Sequence, residues 1–304
     1  MKKKIVSLID HDSVKPNLAL MKLSAFYKKQ GWGVQLDMPL FPADKVYVSK
    51  VFSFSPPVNY PGDCIVGGPG YDIASRLPDA IDGMMPDYSL YGCDYSMGYT
   101  SRGCPNDCGF CIVPAGEGRP RAVGDIYNFW NKKHNRIVLM DSNILFDKGH
   151  FMRITEQVRK ERLCVRFEQG LDIRRIDREV GVQLARLNYD RIAISWDTKR
   201  VEPAFMRGLD ILLDYVSPSR VLVHILTGFD TTFLYDYRRV TYVRQRGLVP
   251  FVMVYNKVQH DTRLTVLQHW ANSRYIANLP FHRYLHNNNL LHHFDDTTLR
   301  SLRS

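Results

Sequence analysis

The sequence predicts an α/β fold, and two observations carry that expectation. Apolar, β-branched runs recur through the middle of the chain at a near-constant interval. A different set of shorter runs, broken by glycines, occupies about the first 85 residues. Starting the central runs at Ile137, Val165, Ile192, Val221 and Pro250 gives intervals of 28, 27, 29 and 29 residues. That spacing is one strand plus one crossover helix, the repeat of a parallel sheet. A further run, Tyr95–Thr100, leads into a cysteine-rich segment and makes six βα units.

Each central run then ends on polar residues: Asp141-Ser142-Asn143, Glu168-Gln169, Ser195-Trp196-Asp197, Thr227-Gly228 and Tyr255-Asn256. Parallel β/α architectures place their ligands at the carboxyl ends of the strands, so these are the positions to search for a site. Helical patterns lie between the runs, as in Gly149–Arg162 and Asp177–Leu187.

Upstream, Lys4–Ile9 reads as a strand and Pro16-Asn17 opens a helix reaching about Gln30, stopped by Gly31 and Gly33. Val34–Asp37, Lys45–Phe52 and Cys64–Val66 read as further short strands, the last running into Gly67-Gly68-Pro69-Gly70. Together they predict a small Rossmann-like domain over 1–88. The βα array fills 89–262. Beyond it, Arg263–Asn278 reads as a helix and a His- and Asn-rich tail completes a helical extension over 263–304.

At 304 residues, 45% hydrophobic and 24% charged, the composition is globular and excludes a disordered or collagenous chain. No run approaches the ~20 apolar residues that span a bilayer. The opening Ile5–Ile9 stretch is too short and too soon charged for a signal peptide, so the expectation is a soluble, cytoplasmic protein without a membrane partner. Forty-one Lys+Arg against 31 Asp+Glu give a net charge of +10, compatible with nucleic acid but naming no partner.

Of six cysteines, Cys104, Cys108 and Cys111 fall within eight residues in a C-x3-C-x2-C spacing, while Cys64, Cys93 and Cys164 stand alone and read as buried structural thiols. Three close thiolates suit a soft metal or an iron–sulfur cluster. A structural zinc site is the competitor, but it is usually built from paired C-x2-4-C units and the second pair is missing here. His282 and His286 have i, i+4 metal spacing without a carboxylate or cysteine context.

The C-x3-C-x2-C spacing with aromatic Phe110 just before its last cysteine resembles the signature of the radical SAM superfamily. The resemblance implies a partial (β/α)6 barrel. It also implies a [4Fe-4S] cluster on Cys104, Cys108 and Cys111, and S-adenosylmethionine (SAM) bound at the open iron. One electron, from a flavodoxin- or ferredoxin-like reductant, would split the sulfonium to methionine and a 5'-deoxyadenosyl radical. Phe110 would pack near the adenine. The family's G-G-E motif for the SAM amino group is absent, and Asp141-Ser142-Asn143 stands in its place, so Asp141 and Asn143 become candidate acceptors for the ammonium. Glu168, Ser195, Asp197 and Tyr255, at later strand ends, become candidates for the ribose, the SAM carboxylate or the substrate. For each, the plain alternative is a core aromatic or a surface salt bridge. No catalytic residue and no substrate is named by the sequence.

The N-terminal piece is similar to the cobalamin-binding-like domain of one radical SAM branch. Its D-x-H-x-x-G motif is absent, with Asp10-His11-Asp12-Ser13 the nearest stretch, so cobalamin is not expected. Cys111-Ile112-Val113-Pro114 with Gly118-Arg119 also resembles tRNA methylthiotransferases, which carry a second cluster on three N-terminal cysteines; only Cys64 and Cys93 precede the motif here. A non-enzymatic, cysteine-coordinated nucleic-acid-binding protein and a radical SAM scaffold that has lost turnover are the remaining alternatives.

Overall fold

The computed structural model describes residues 3–38, 42–60, 62–256, 261–273 and 275–302. The chain forms two compact units, Met1–Glu168 and Gln169–Ser304. The boundary expected at residue 88 falls inside the first.

The first unit opens with strand β1 (Ile5–Asp10), helix α1 (Leu18–Lys29), and strands β2 (Gly33–Leu36), β3 (Lys45–Ser49) and β4 (Ile65–Gly67). These four strands pair in parallel in the order β2-β1-β3-β4. β1 is central, and its Val6, Leu8 and Ile9 are buried with only Ser7 between them, the near-continuous apolar run of a covered parallel strand. Asn17 caps α1 by accepting the N–H groups of Ala19 (3.1 Å) and Leu20 (3.3 Å). Gly31, at φ +81°, ends it in a left-handed turn that other residues adopt at a cost. The expected strand to Phe52 stops at Ser49, because the Asp12 carboxylate takes the N–H groups of Val51 (2.7 Å) and Phe52 (2.9 Å).

A short helix α2 (Asp79–Asp82) leads to β5 (Ser96–Gly98), β6 (Ser101–Arg102), helix α3 (Val113–Glu117), β7 (Arg121–Ala122), β8 (Arg136–Leu139), helix α4 (Lys148–Lys160) and β9 (Cys164–Phe167). β5, β8 and β9 make a parallel sheet in that order, while β6 and β7 form a two-residue antiparallel ladder. Leu20, Leu23 and Tyr27 of α1 pack with Val6 and Leu8 of β1, while its Leu18 and Met21 pack with Tyr88 and Met97. One helix therefore serves both sheets, which makes residues before and after 88 one body.

The second unit contains α5 (Arg178–Ala185), β10 (Ile192–Ser195), α6 (Glu202–Leu213), β11 (Val221–Thr227), α7 (Phe233–Gln245) and β12 (Val249–Val254). Its strands run parallel in the order β10-β11-β12. The tail follows as α8 (Thr262–Ala271), α9 (Tyr275–Asn278), α10 (Phe281–Asn287) and α11 (Asp296–Ser301). The single helix expected over 263–278 breaks after Ala271 because the Asn272 side chain turns to the backbone of Val252, accepting its N–H (2.7 Å) and donating to its carbonyl (2.9 Å). Phe281 packs against Trp270 (5.0 Å between ring centroids), and Phe294 against Phe233 of α7 (5.3 Å), so the tail shares the core of this unit. No helix among the described residues is long and apolar enough to cross a membrane.

Candidate active site

The three cysteines occupy one loop that leaves β6 and returns at β7. Its neck is the pairing of Ser101 with Ala122 and of Arg102 with Arg121. Glu117, at the end of α3, closes the neck a second time. Its carboxylate accepts the Gly103 N–H at 2.7 Å, the Ser142 hydroxyl at 2.8 Å and the Arg102 guanidinium at 3.1 Å. Burial alone would push this carboxyl up, but those three donors hold it below the usual carboxylate range. Arg102 also stacks on the Tyr99 ring at 3.3 Å. Gly103 has φ +83°, and a Cβ there would lie 2.5 Å from the Arg119 carbonyl oxygen, so backbone meets backbone at the neck and only glycine fits.

The tripeptide after β8 grips the same loop with all three of its side chains. Asp141, buried, accepts from the Thr100 hydroxyl (2.6 Å), the Ser101 N–H (2.5 Å) and the Ser101 hydroxyl (2.6 Å). Ser142 bonds Glu117, as above. Asn143 is 4% exposed, and its Nδ2 donates to Cys104 Sγ at 3.5 Å. A further chain supports Asp141 from below. Arg153, which can only donate, lies 3.0 Å from His150 Nδ1, so the proton of His150 sits on Nε2 and is donated to Thr100 Oγ1 at 2.9 Å. Burial, and then the Arg153 charge, hold the His150 pKa down, which keeps the ring neutral as this chain requires.

The cysteine sulfurs themselves receive amide donors. Asn106 Nδ2 lies 3.4 Å from Cys104 Sγ, and the Val113 N–H lies 3.5 Å from Cys111 Sγ. Metal is bound by the thiolate form of cysteine, whose sulfur accepts donors of this kind. Cys104 and Cys108 are half-buried and Cys111 is exposed; all six cysteines are free thiols. Among the described residues, no three His, Cys, Asp or Glu side chains close on one point able to hold a single metal ion. Phe110 is half-buried beside Cys111.

The structure thus brings Cys104, Asp141 and Asn143 together. Glu168, at the end of β9, is engaged by Lys15 and by Arg166 (2.5 Å), both from its own unit. Asp172 caps a 3-10 turn and pairs with Arg174 at 2.6 Å. In the second unit, Ser195 ends β10 in register with His224 of β11, and Tyr255 follows β12 with its ring 5.0 Å from that of Phe229. Burial raises Asp197 to about 6 against the opposing pull of Arg239, the Leu226 N–H and Arg174. Arg239, fully buried, donates to the carbonyls of Trp196 and Leu226 (2.6 Å) and to Asp236 (2.6 Å), tying the ends of β10 and β11 together.

Glu117, Ser142, Thr100, Ser101, Asn106 and His150 were not foreseen as parts of the site. Ser142 lies within the Asp141-Ser142-Asn143 stretch singled out above, and Glu117 stands just before Gly118-Arg119, where in space it closes the loop's neck.

No family model matches the sequence, and no curated protein matches it either. Solved structures do. The structure of a radical S-adenosylmethionine methyltransferase, TsrM, from Kitasatospora setae, with cobalamin and a [4Fe-4S] cluster bound, is similar over 83% of this chain and 75% of that one, at a TM-score of 0.58 and 11% identity. Methylornithine synthase (PylB) aligns over 73% of this chain and 72% of its own, at a TM-score of 0.39 and 12% identity. The chain has a mixed α/β fold, built on parallel sheets, similar to that of the first of these enzymes.

Proposed function

We propose that this protein is a radical SAM enzyme whose Cys104, Cys108 and Cys111 hold a [4Fe-4S] cluster. The observation that carries the reading is the closed-neck cysteine loop with amide donors on its sulfurs, set in a fold similar to a radical SAM methyltransferase. On this reading the six βα units belong to a partial (β/α)6 barrel. When bound, the cluster would supply the one electron, received from a flavodoxin- or ferredoxin-like donor, for reductive cleavage of SAM to methionine and a 5'-deoxyadenosyl radical able to take hydrogen from a substrate.

The chain's own residues orient and shield. Glu117 and the short ladder fix where the loop begins and ends, so the thiolates are presented from a neck already ordered. Asp141 holds the entry strand through Thr100 and Ser101, and Asn143 faces Cys104. Phe110 is assigned to the adenine, and Ser195, Asp197 and Tyr255 to the ribose, carboxylate or substrate. Glu168 shares that assignment, although Lys15 and Arg166 compete for its oxygens.

Cobalamin is not part of this reading. His11, nearest to the family's cobalt-ligand motif, has Nε2 2.9 Å from the Pro56 carbonyl and Nδ1 3.3 Å from the Tyr60 hydroxyl, so both ring nitrogens have partners within the protein. The net charge of +10 is compatible with a nucleic-acid substrate.

Anaerobic reconstitution with iron and sulfide, followed by a 5'-deoxyadenosine assay with SAM and dithionite, tests the proposal. About four irons per chain, and cleavage lost in a Cys104/Cys108/Cys111→Ala variant, support it. Bound zinc without iron overturns it in favour of a cysteine-metal binding protein. A cluster without cleavage, at every substrate class tried, points to a scaffold that has lost turnover.

A further inference from the structure

We infer that Asn143 is a positioning residue that sets the reduction potential of the cluster, acting through the sulfur of Cys104; the inference rests on the cluster assignment above.

Three observations converge. Asn143 stands at the N-cap of the 3-10 turn Ile144–Phe146, yet its side chain makes no capping bond. Asp125, Asp147, Asp172 and Asp177 cap with their side chains, whereas Thr198, Ser217 and Thr232 do not. Asparagine is a favoured capping residue, and here its amide is turned to another partner. The partner is the second observation: Asn143 Nδ2 donates to Cys104 Sγ at 3.5 Å from a buried position. The third is that Asn106 Nδ2 reaches the same sulfur at 3.4 Å, so Cys104 receives two side-chain amide donors from two different segments.

A hydrogen bond to a ligand sulfur withdraws electron density from it. The more negative, reduced cluster gains more from such a donor than the oxidised one, so the donor raises the potential. A buried donor does so most effectively, since water competes least for the sulfur. Cluster-bound Cys104 is therefore the thiolate through which the protein adjusts how readily the centre accepts its electron, and the tripeptide after β8 is the adjusting element.

The test compares full-length wild-type protein with Asn143→Leu, which keeps the branching and heavy-atom count and removes the donor, with Asn143→Asp, which replaces the donor by a charged acceptor, and with Asn106→Leu. Each is reconstituted, checked for iron content and far-UV circular dichroism, and titrated potentiometrically with the reduced cluster followed by electron paramagnetic resonance, without SAM. The expected result is unchanged iron and a lower midpoint. Loss of one donor changes the reduced-to-oxidised ratio at fixed potential by about tenfold, or 59 mV for a one-electron couple. Asn143→Asp shifts further in the same direction. An unchanged midpoint in both Asn143 variants, with iron intact, overturns the inference and leaves the cluster assignment standing. If both variants lose iron, Asn143 serves assembly and the tuning role falls. Wild-type protein that takes up no iron overturns both readings at once.

Discussion

Glu117 Oε2 accepts the backbone N–H of Gly103 at 2.7 Å, across fourteen residues that include all three clustered cysteines. One carboxylate thus turns a flexible thiol-rich segment into a closed loop. Replacing Glu117 by Ala leaves the Gly103 N–H and the Ser142 hydroxyl without their acceptor, at a cost of about 1–3 kcal/mol for a buried unsatisfied group. The expected outcome is faster amide exchange at Gly103, with protection in the second unit unchanged, and a slower uptake of iron. Hydrogen exchange read by mass spectrometry measures the first directly. Because this carboxyl lies below its ordinary range in the folded protein, its contribution is present at neutral pH and is lost as pH falls through that lowered value.

Gly103→Ala strikes the same neck from the backbone side. A left-handed φ costs a non-glycine residue roughly 1–2 kcal/mol, and here the added methyl would also meet the Arg119 carbonyl. The variant is expected to lose the β6–β7 ladder and to expose Cys104 to alkylation in the metal-free protein. Unaltered alkylation kinetics would show that the neck tolerates a side chain.

Asp141 accepts hydrogen bonds from both Thr100 and Ser101 while buried. Asp141→Ala strands several donors, and a loss of about 3 kcal/mol is expected in urea denaturation of the apo protein. Asp141→Asn keeps one acceptor oxygen and is expected to cost less than half as much. His150→Phe removes the donor to Thr100 and is expected to fall between them.

The pH behaviour of Asp197 runs opposite to that of Glu117. Its folded value of about 6 lies above the ordinary 3.8, so the folded state holds the proton more tightly than the unfolded chain. That contribution is fully present below about pH 4 and disappears as pH rises through 6. Asp197→Asn is therefore expected to be close to wild type at pH 4 and more stable at pH 7.5, by no more than about 2–3 kcal/mol. Thermal unfolding at the two pH values reads the difference.

Arg239 and Asp236 form a buried pair in which Arg239 also holds the carbonyls of Trp196 and Leu226. Removing the cation alone, as in Arg239→Met, leaves Asp236 charged and buried, and about 3–5 kcal/mol of stability is expected to be lost. The double variant with Asp236→Leu should recover part of it. A double-mutant cycle in urea separates the coupling from the two single costs.

Much of this architecture was legible in the residues alone. All six central strands lie where the apolar runs place them, because a parallel strand covered on both faces needs an unbroken run and its crossover helix sets the interval. The N-cap at Asn17 and the stop at Gly31 are equally local signals. The expected boundary at 88 had no such support, since α1 serves two sheets and composition does not record which faces of a helix are covered.

The sequence by itself determined the repeat, the two ends of α1 and the clustering of three thiols, since each depends on neighbours a few positions away. Only the tertiary structure decided how those thiols are held. Glu117 finds Gly103, Asp141 finds Thr100 and Ser101, and Asn143 forgoes its own helix cap for Cys104, some forty residues distant. The choice among polar partners is made by burial and geometry once the strands have brought them together. A hydrogen bond between distant residues leaves no period in the sequence to read.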